Sequence, residues 1–245
     1  MIDTKNKYLI PLEENAIIWR YLDFKKFESL INEKSLFFCR ADFLGDKFEG
    51  SIPEKEADYL TKTTNDEIRK GYKEIFKEFR PSSMVCCWHI ADDESQLMWN
   101  SYSSEKGVAI KSTKERLFNS LISCKETIWP TKVRYINYLK DTWYGNDFPT
   151  SFSFILPLNH KRIEFKSEKE FRLIIHKAEI VRNKDFWENQ PNKKGILVVV
   201  DLNILIEKVV LNPNIESELE SRIRKLGLNV GITIEKSNLS NEPLY

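Results

Sequence analysis

The chain has 245 residues, with 38 Lys and Arg against 37 Asp and Glu and a formal net charge of +1, so bulk charge gives no argument for non-specific binding to nucleic acid or to an anionic membrane. Hydrophobic residues make up 41% and aromatic residues 12%, which suits a large core and excludes a disordered chain. Met1 to Asn15 mixes charged residues with short apolar stretches, unlike a signal peptide, and runs such as Ile196 to Val200 fall far below the roughly 20 residues that span a bilayer. A cytoplasmic chain with no membrane partner is expected. The four cysteines, Cys39, Cys86, Cys87 and Cys124, show no C-x-x-C spacing and read as reduced core thiols, with Cys86 and Cys87 on opposite faces of a strand. No metal-ligand spacing stands out, and no resident metal is expected.

Ala16 to Leu22 reads as a strand, and Asp23 then caps a helix whose Phe24, Phe27, Leu30 and Ile31 recur at helical spacing. Ser35 to Cys39 is a second strand, followed by an irregular stretch from Arg40 to Pro53. Pro53 to Phe79 reads as helical: Thr64-Asn65-Asp66-Glu67 has the form of a capping box, Ile68, Tyr72, Ile75, Phe76 and Phe79 make a stripe, and Pro81 ends it. Strands are expected at Met84 to Ile90, Gly107 to Lys111, Lys132 to Tyr138, Phe171 to His176, Ile196 to Val200 and Lys208 to Leu211, and helices over Glu94 to Ser103 and Ser153 to Ile163. Near the end, Asn212-Pro213 predicts a helix start, Ile215, Leu219, Ile223 and Leu226 its stripe, and Gly227 its stop; Leu228, Val230, Ile232 and Ile234 then alternate as a last strand. Without regular βαβ alternation the pattern implies an α+β fold, a bent mixed β-sheet with flanking helices. The chain reads as one domain over 1–245 with a helical insertion at about 53–80.

Four clusters could carry chemistry. In Trp19-Arg20-Tyr21 the arginine faces away from its aromatic neighbours and suits an anion clamp or a salt bridge. Gly45-Asp46-Lys47-Phe48-Glu49 is a turn with two carboxylates, Asp46 and Glu49, beside an apolar anchor. In Gln96 to Ser103, Met98 and Trp99 suit a core, while Ser101, Tyr102 and Ser103 are polar where the helix gives way to Gly107. Glu168-Lys169-Glu170-Phe171-Arg172 places Glu168, Glu170 and Arg172 on one face of a strand, costly unless they pair or work.

Taken in order, Trp19-Arg20-Tyr21, Asp46-Lys47-Phe48-Glu49, Cys87-Trp88-His89, Met98-Trp99 with Tyr102, Phe165 and Glu168-x-Glu170-x-Arg172 resemble a widespread bacterial domain family of unassigned function, marked by N-D-P-F-E, M-W-x-x-Y and E-x-E-x-R motifs. The resemblance covers roughly residues 16 to 235, and Gly45 and Lys47 depart from the first motif. That family in turn is similar to the ADP-ribosyltransferase superfamily. The resemblance implies an NAD-splitting enzyme that uses NAD as substrate and a nucleic acid or protein as acceptor, a toxin or effector of a bacterial stress or phage-defence system, with a cognate antitoxin as a further partner. It also implies roles. Arg20, with Tyr21, Ser101, Ser103, Asp46 and Glu49, would hold the dinucleotide; Tyr102 would stack on nicotinamide; Glu170 would stabilise the oxocarbenium ion, and Glu168 would orient or deprotonate the acceptor. Two other readings of the residues stay open. One is a non-catalytic interaction module using Trp143, Tyr144, Phe148 and Phe152; the other is a metal-dependent hydrolase or nuclease using Asp46, Glu49, Glu168 and Glu170.

Overall fold

The computed structural model describes residues 1–103, 106–144, 153–183 and 185–243. Strand β1 (Ile17–Asp23) runs straight into α1 (Phe24–Glu33) because Asp23 ends one and caps the other: its carboxylate accepts the Lys26 amide at 2.9 Å, satisfying a free N–H of the first turn. Phe27, Leu30 and Ile31 form the buried stripe of α1, and Lys34, in the left-handed conformation, turns the chain into β2 (Ser35–Arg40).

The charged arm is two helices, α2 (Glu54–Thr63) and α3 (Asp66–Phe79). Asn65 caps the second, accepting from the Ile68 amide at 2.9 Å, while the Thr64 hydroxyl donates back to Leu60 O; the cap therefore sits one residue later than the capping-box pattern places it. Ile68 and Ile75 are exposed and Phe79 is buried, so the expected stripe enters the core only at its C-terminal end.

Next come β3 (Ser83–Ile90), a short helix α4 (Gln96–Met98) that widens into a π-type turn over Trp99–Ser103, β4 (Gly107–Thr113) and α5 (Lys114–Ser120). A side chain on Gly107 would meet Leu22 O at 2.1 Å, so β1 and β4 can close here only around glycine. The strand expected over Lys132 to Tyr138 divides into β5 (Trp129–Lys132) and β6 (Arg134–Ile136). The break is at Val133, whose amide bonds to Glu170 O while the next amide bonds to Asn159 O. In this way β6 leaves the main sheet and pairs in parallel with β7 (His160–Arg162). Residues 154–159 form turns where a helix was expected; Pro157 lacks the amide a helix needs, and the segment's polar backbone is spent on the ribbon and its turns.

The rest is β8 (Glu170–His176), α6 (Ala178–Arg182), β9 (Gly195–Val199), α7 (Leu202–Leu205), β10 (Lys208–Leu211), α8 (Ser217–Leu228) and β11 (Ile234–Lys236). Asn212 forms an Asx turn to the Asn214 amide at 2.9 Å, and α8 begins only after Glu216. The helix continues through Gly227, where a Cβ would lie 2.4 Å from Ile234 Cδ1. Close packing of β11 on α8 needs that glycine inside the helix, which is why the alternating run from Leu228 yields a strand of only three residues.

Among the described residues, nine strands form one mixed sheet, antiparallel throughout except for β10 beside β11. The fold is thus mixed α+β, an open mixed sheet with flanking helices. Its centre is β3, which gives one edge to β8 from Ser83 to His89 and divides the other between β2 (at Met84 and Val85) and β1 (at His89 and Ile90). Strand alternation then sorts the side chains. Met84, Cys86 and Trp88 join Ile18, Leu22, Phe171, Leu173 and Ile175 in the main apolar core. The other face carries Cys87, His89, Glu170 and Arg172. Among the described residues, no helix is long and apolar enough to cross a membrane.

Candidate functional site: a buried carboxylate cluster

The pairing of β3 with β8 sets His89 opposite Glu170 and Cys87 opposite Arg172, so the face away from the apolar core begins with two charged side chains. Glu168 lies before the strand, at the end of a tight 3-10 turn over Ile163–Glu168. Lys169, with φ of 40°, reverses the chain between the two glutamates, and both side chains reach one cation, Lys161 from β7. The left-handed step at Lys169 is backbone strain of a kind held in place only by its surroundings. Here the His89 ring bonds to Glu168 O at 2.6 Å and Ile90 N to Lys169 O at 2.9 Å.

Arg172 donates from Nε to Glu170 Oε2 at 2.7 Å and from Nη1 to Leu158 O at 2.9 Å, and its Nη2 lies 2.5 Å from Glu49 Oε2. Lys161 Nζ meets Glu170 Oε1 at 2.7 Å, Glu168 Oε2 at 2.5 Å and Glu49 Oε1 at 3.4 Å. The second oxygen of Glu168, Oε1, accepts the Tyr102 hydroxyl at 2.9 Å. Glu168 is 9% exposed, Glu170 5% and Tyr102 42%; Tyr102 is therefore the member that joins this dry cluster to solvent.

Three carboxyls share two cations, which leaves one negative charge too many for a buried group. Burial raises the affinity of Glu168 for its proton, and the hydrogen bond with Glu170 adds to this while Lys161 opposes it; the Glu168 carboxyl is pushed up to about 7. Glu170 is buried too, but the Arg172 guanidinium and the Lys161 ammonium outweigh burial and hold its carboxyl well below the usual range. Of the two, Glu168 is thus the carboxyl that exchanges a proton near neutrality, while Glu170 stays ionised. Burial disfavours charge on Lys161, yet Glu170 and Glu49 more than restore it and raise its proton affinity. Tyr102 is raised by burial and then by the neighbouring Glu168, so its hydroxyl keeps its proton and serves as a donor. Two groups set apart in this way, one carboxyl ionised and one exchanging a proton near neutrality, suit acid–base chemistry.

The turn at 45–49 joins the cluster. Asp46 accepts the Phe48 amide at 3.2 Å, making an Asx turn, and accepts from Arg162 Nε at 2.9 Å. Arg162 stands over the rings of Phe48 (4.8 Å) and Phe165 (5.3 Å). Asp46, Glu49, Tyr102, Glu168 and Glu170 are therefore brought together. Tyr21 shares their face but is buried: its ring meets Trp99 edge-on at 4.9 Å, its oxygen accepts the Ser95 amide at 2.8 Å, and burial pushes its hydroxyl up to about 12. It braces the helix that carries Tyr102. Ser103 is buried and accepts from Asn212 Nδ2 at 3.0 Å, whereas Ser101 is exposed.

Arg20 is not brought to the site. It follows the alternation of Ile18 and Leu22 to the opposite face, where it donates to Phe37 O at 3.1 Å and Cys87 O at 3.5 Å, contacts Cys86 Sγ, and lies 5.7 Å from the Trp88 ring. It fills the fork where β1 and β2 part beside β3, satisfying carbonyls that the divided pairing leaves free. A dinucleotide clamp at Arg20 is therefore separated from Glu168 and Glu170 by the sheet. Trp143, offered as part of an interaction surface, is buried with Ile136, Tyr138 and Leu156; Phe148 and Phe152 lie outside the described residues. The carboxylates offered as metal ligands are each held by Lys161, Arg162 or Arg172, and among the described residues no three His, Cys, Asp or Glu side chains are placed to hold a metal ion.

Lys161 escapes a reading of the sequence, although it is the hub of the cluster. It sits in a stretch whose apolar spacing suggests a helix, and nothing local marks a cation paired with residues up to 112 positions away, as Glu49 is. Comparison with models of protein families and with curated proteins returns no match, so the resemblance stated above rests on the residues quoted for it.

Proposed function

We propose that the chain is an enzyme whose reacting carboxyl is Glu168, and that its reaction is NAD-dependent transfer of ADP-ribose to a macromolecular acceptor, nucleic acid or protein. The observation that carries the acid–base part is the Tyr102–Glu168 pair, the point where an exposed ring meets a carboxyl poised near neutrality. The order of the motifs and the mixed sheet support the choice of reaction.

In this scheme the ring of Tyr102 stacks on nicotinamide. The bond from the ribose C1′ to the nicotinamide nitrogen breaks, its electron pair leaves with nicotinamide, and ionised Glu168 steadies the positive charge growing on the ribose. An acceptor oxygen or nitrogen then bonds to C1′ and gives its proton to Glu168. Glu170, clamped by Arg172 and Lys161, does not react; it is a positioning residue that fixes Lys161 and through it Glu168. This reverses the roles that the family resemblance implies for the two glutamates. Arg162 takes the part expected of Arg20: Asp46 orients its Nε, the rings of Phe48 and Phe165 hold it flat, and it stands half-exposed to meet the pyrophosphate.

The test is mass spectrometry of cell lysate incubated with the protein and isotopically labelled NAD. Labelled ADP-ribose on a macromolecule and free nicotinamide are expected, and Glu168→Gln should slow release about 100-fold or more. Nicotinamide release that is absent, or unchanged in Glu168→Gln, would refute the reading.

A further inference from the structure

The β6–β7 ribbon has a second face. Its register pairs Tyr135 with Lys161, which serve the carboxylate cluster, and Arg134 with His160. By alternation the latter two point the other way. They line a cleft of about 370 Å³ together with Lys7, Tyr8, Trp143, Tyr144 and Asn159. That size lies at the small end of ligand pockets, about 300–1,000 Å³.

Residues lining this cleft carry buried polar atoms without partners. His160 and Asn159 are each 1% exposed. The His160 Nδ1 is engaged with Leu156 O at 2.9 Å, which makes Nδ1 the donor and leaves Nε2 a bare acceptor with no partner. Burial holds the ring neutral, with its pKa down at about 4. Asn159 donates from Nδ2 to Tyr8 O at 2.8 Å, which fixes the orientation of the amide and leaves Oδ1 unpartnered. The Tyr8 hydroxyl is buried and unpartnered as well. A buried acceptor without a donor typically costs about 1–3 kcal/mol, and two on adjacent residues in one cleft call for a ligand that brings N–H groups. The walls are rings: Tyr8 and Tyr144 meet edge to face at 6.3 Å, and Trp143 lies 6.3 Å from His160. The rim carries two exposed cations, Arg134 and Lys7.

We propose that this cleft binds a nucleoside monophosphate with an aminated base. The base lies among the aromatic walls, its N–H groups donate to His160 Nε2 and Asn159 Oδ1, a ring nitrogen beside its amino group accepts the Tyr8 hydroxyl, and its phosphate meets Arg134 and Lys7. Each demand narrows the choice. Two buried acceptors need two N–H bonds, which one exocyclic amino group supplies; the rings need a flat ligand; the rim needs an anion; and the volume suits one nucleotide. The cleft is separate from the Glu168 cluster, which lies across the ribbon, so the site does not depend on the reaction proposed there.

Calorimetric titration with AMP, CMP, GMP and UMP tests the assignment. AMP, CMP and GMP, whose bases each carry an amino group, should bind, and UMP, which has none, should bind more weakly than CMP. Arg134→Ala at the rim should weaken AMP about tenfold, the worth of one charge-assisted bond, and leave adenosine unchanged. Tyr8→Phe, which removes only the hydroxyl, should weaken both several-fold. Glu168→Gln should bind AMP as the wild type does, which separates this site from the one across the ribbon. The proposal is overturned if none of the four nucleotides binds at millimolar concentration, if UMP binds as tightly as CMP, or if Arg134→Ala and Tyr8→Phe leave AMP affinity unchanged. Loss of AMP binding in Glu168→Gln would also overturn it.

Discussion

The two faces of β3 and β8 are built from alternate residues of the same strands, yet they solve opposite problems. On one, Trp88, Phe171, Leu173 and Ile175 pack in an apolar core that depends on volume and tolerates small changes of shape. On the other, Glu170 and Arg172 must be held by Glu49, Lys161 and a backbone carbonyl before they can be buried at all. Charges are expensive there, and apolar residues of similar size would often serve stability as well or better. A fold that buries Glu49, Lys161, Glu168, Glu170 and Arg172 together, and leads Glu168 to the surface through Tyr102, has the arrangement that the chemistry proposed for Glu168 requires.

Substitutions can break this contrast, beginning with the largest effect. Arg172→Met keeps much of the side chain's length but strands Glu49 and Glu170 without their common cation. A loss of about 3–5 kcal/mol is expected in denaturant titration, and a loss under 1 kcal/mol would mean the ion network contributes little to holding this face. Arg20→Met should cost about 1.5–3 kcal/mol by freeing the carbonyls at the fork while leaving nicotinamide release intact; a variant that folds but cannot act would return Arg20 to the site. On the apolar face, Ile175→Val should cost only about 0.5–1.5 kcal/mol. An Ile175→Val loss as large as that of Arg172→Met would erase the distinction between the faces.

The smallest effect concerns pH and sharpens the roles of the two glutamates. Glu168 has its affinity for a proton raised on folding, so its contribution is fully present below its ordinary value of about 4.5 and is lost as pH rises to about 7. Glu170 is lowered, so its contribution is present above the ordinary value and is lost as pH falls below it. Glu168→Gln should therefore flatten the decline of melting temperature with pH between about 4.5 and 7. Under the proposed reaction, nicotinamide release should change in the opposite sense, rising with pH through about 7 as Glu168 ionises.

How much of this was legible in the sequence depended on distance along the chain. The strands around Met84 to Ile90, Phe171 to His176 and Lys208 to Leu211 declare themselves because period-two burial is local, and Asp23 announces its helix because a cap acts over three residues. The alternation of Trp19, Arg20 and Tyr21 already places Arg20 away from its neighbours; only the family resemblance draws it toward the dinucleotide. Leu228 to Ile234 alternates on paper, but a glycine that admits Ile234 against α8 lets the helix run on. The carboxylates at Asp46, Glu49, Glu168 and Glu170 stand out as costly residues, whereas their common cation does not. Lys161 becomes visible only when Val133 sends β6 out of the main sheet to meet β7.

The central claim is that the buried pair exchanges one proton near neutrality and exchanges it at Glu168. Site-resolved carbon NMR of the side-chain carboxyls, with Glu168→Gln and Glu170→Gln used to assign the signals, measures this directly. The account predicts that the Glu168 signal titrates near pH 7 while the Glu170 signal stays ionised to well below pH 4.5. A Glu168 signal that titrates at or below 4.5, or a Glu170 signal that titrates near 7 in its place, would contradict it.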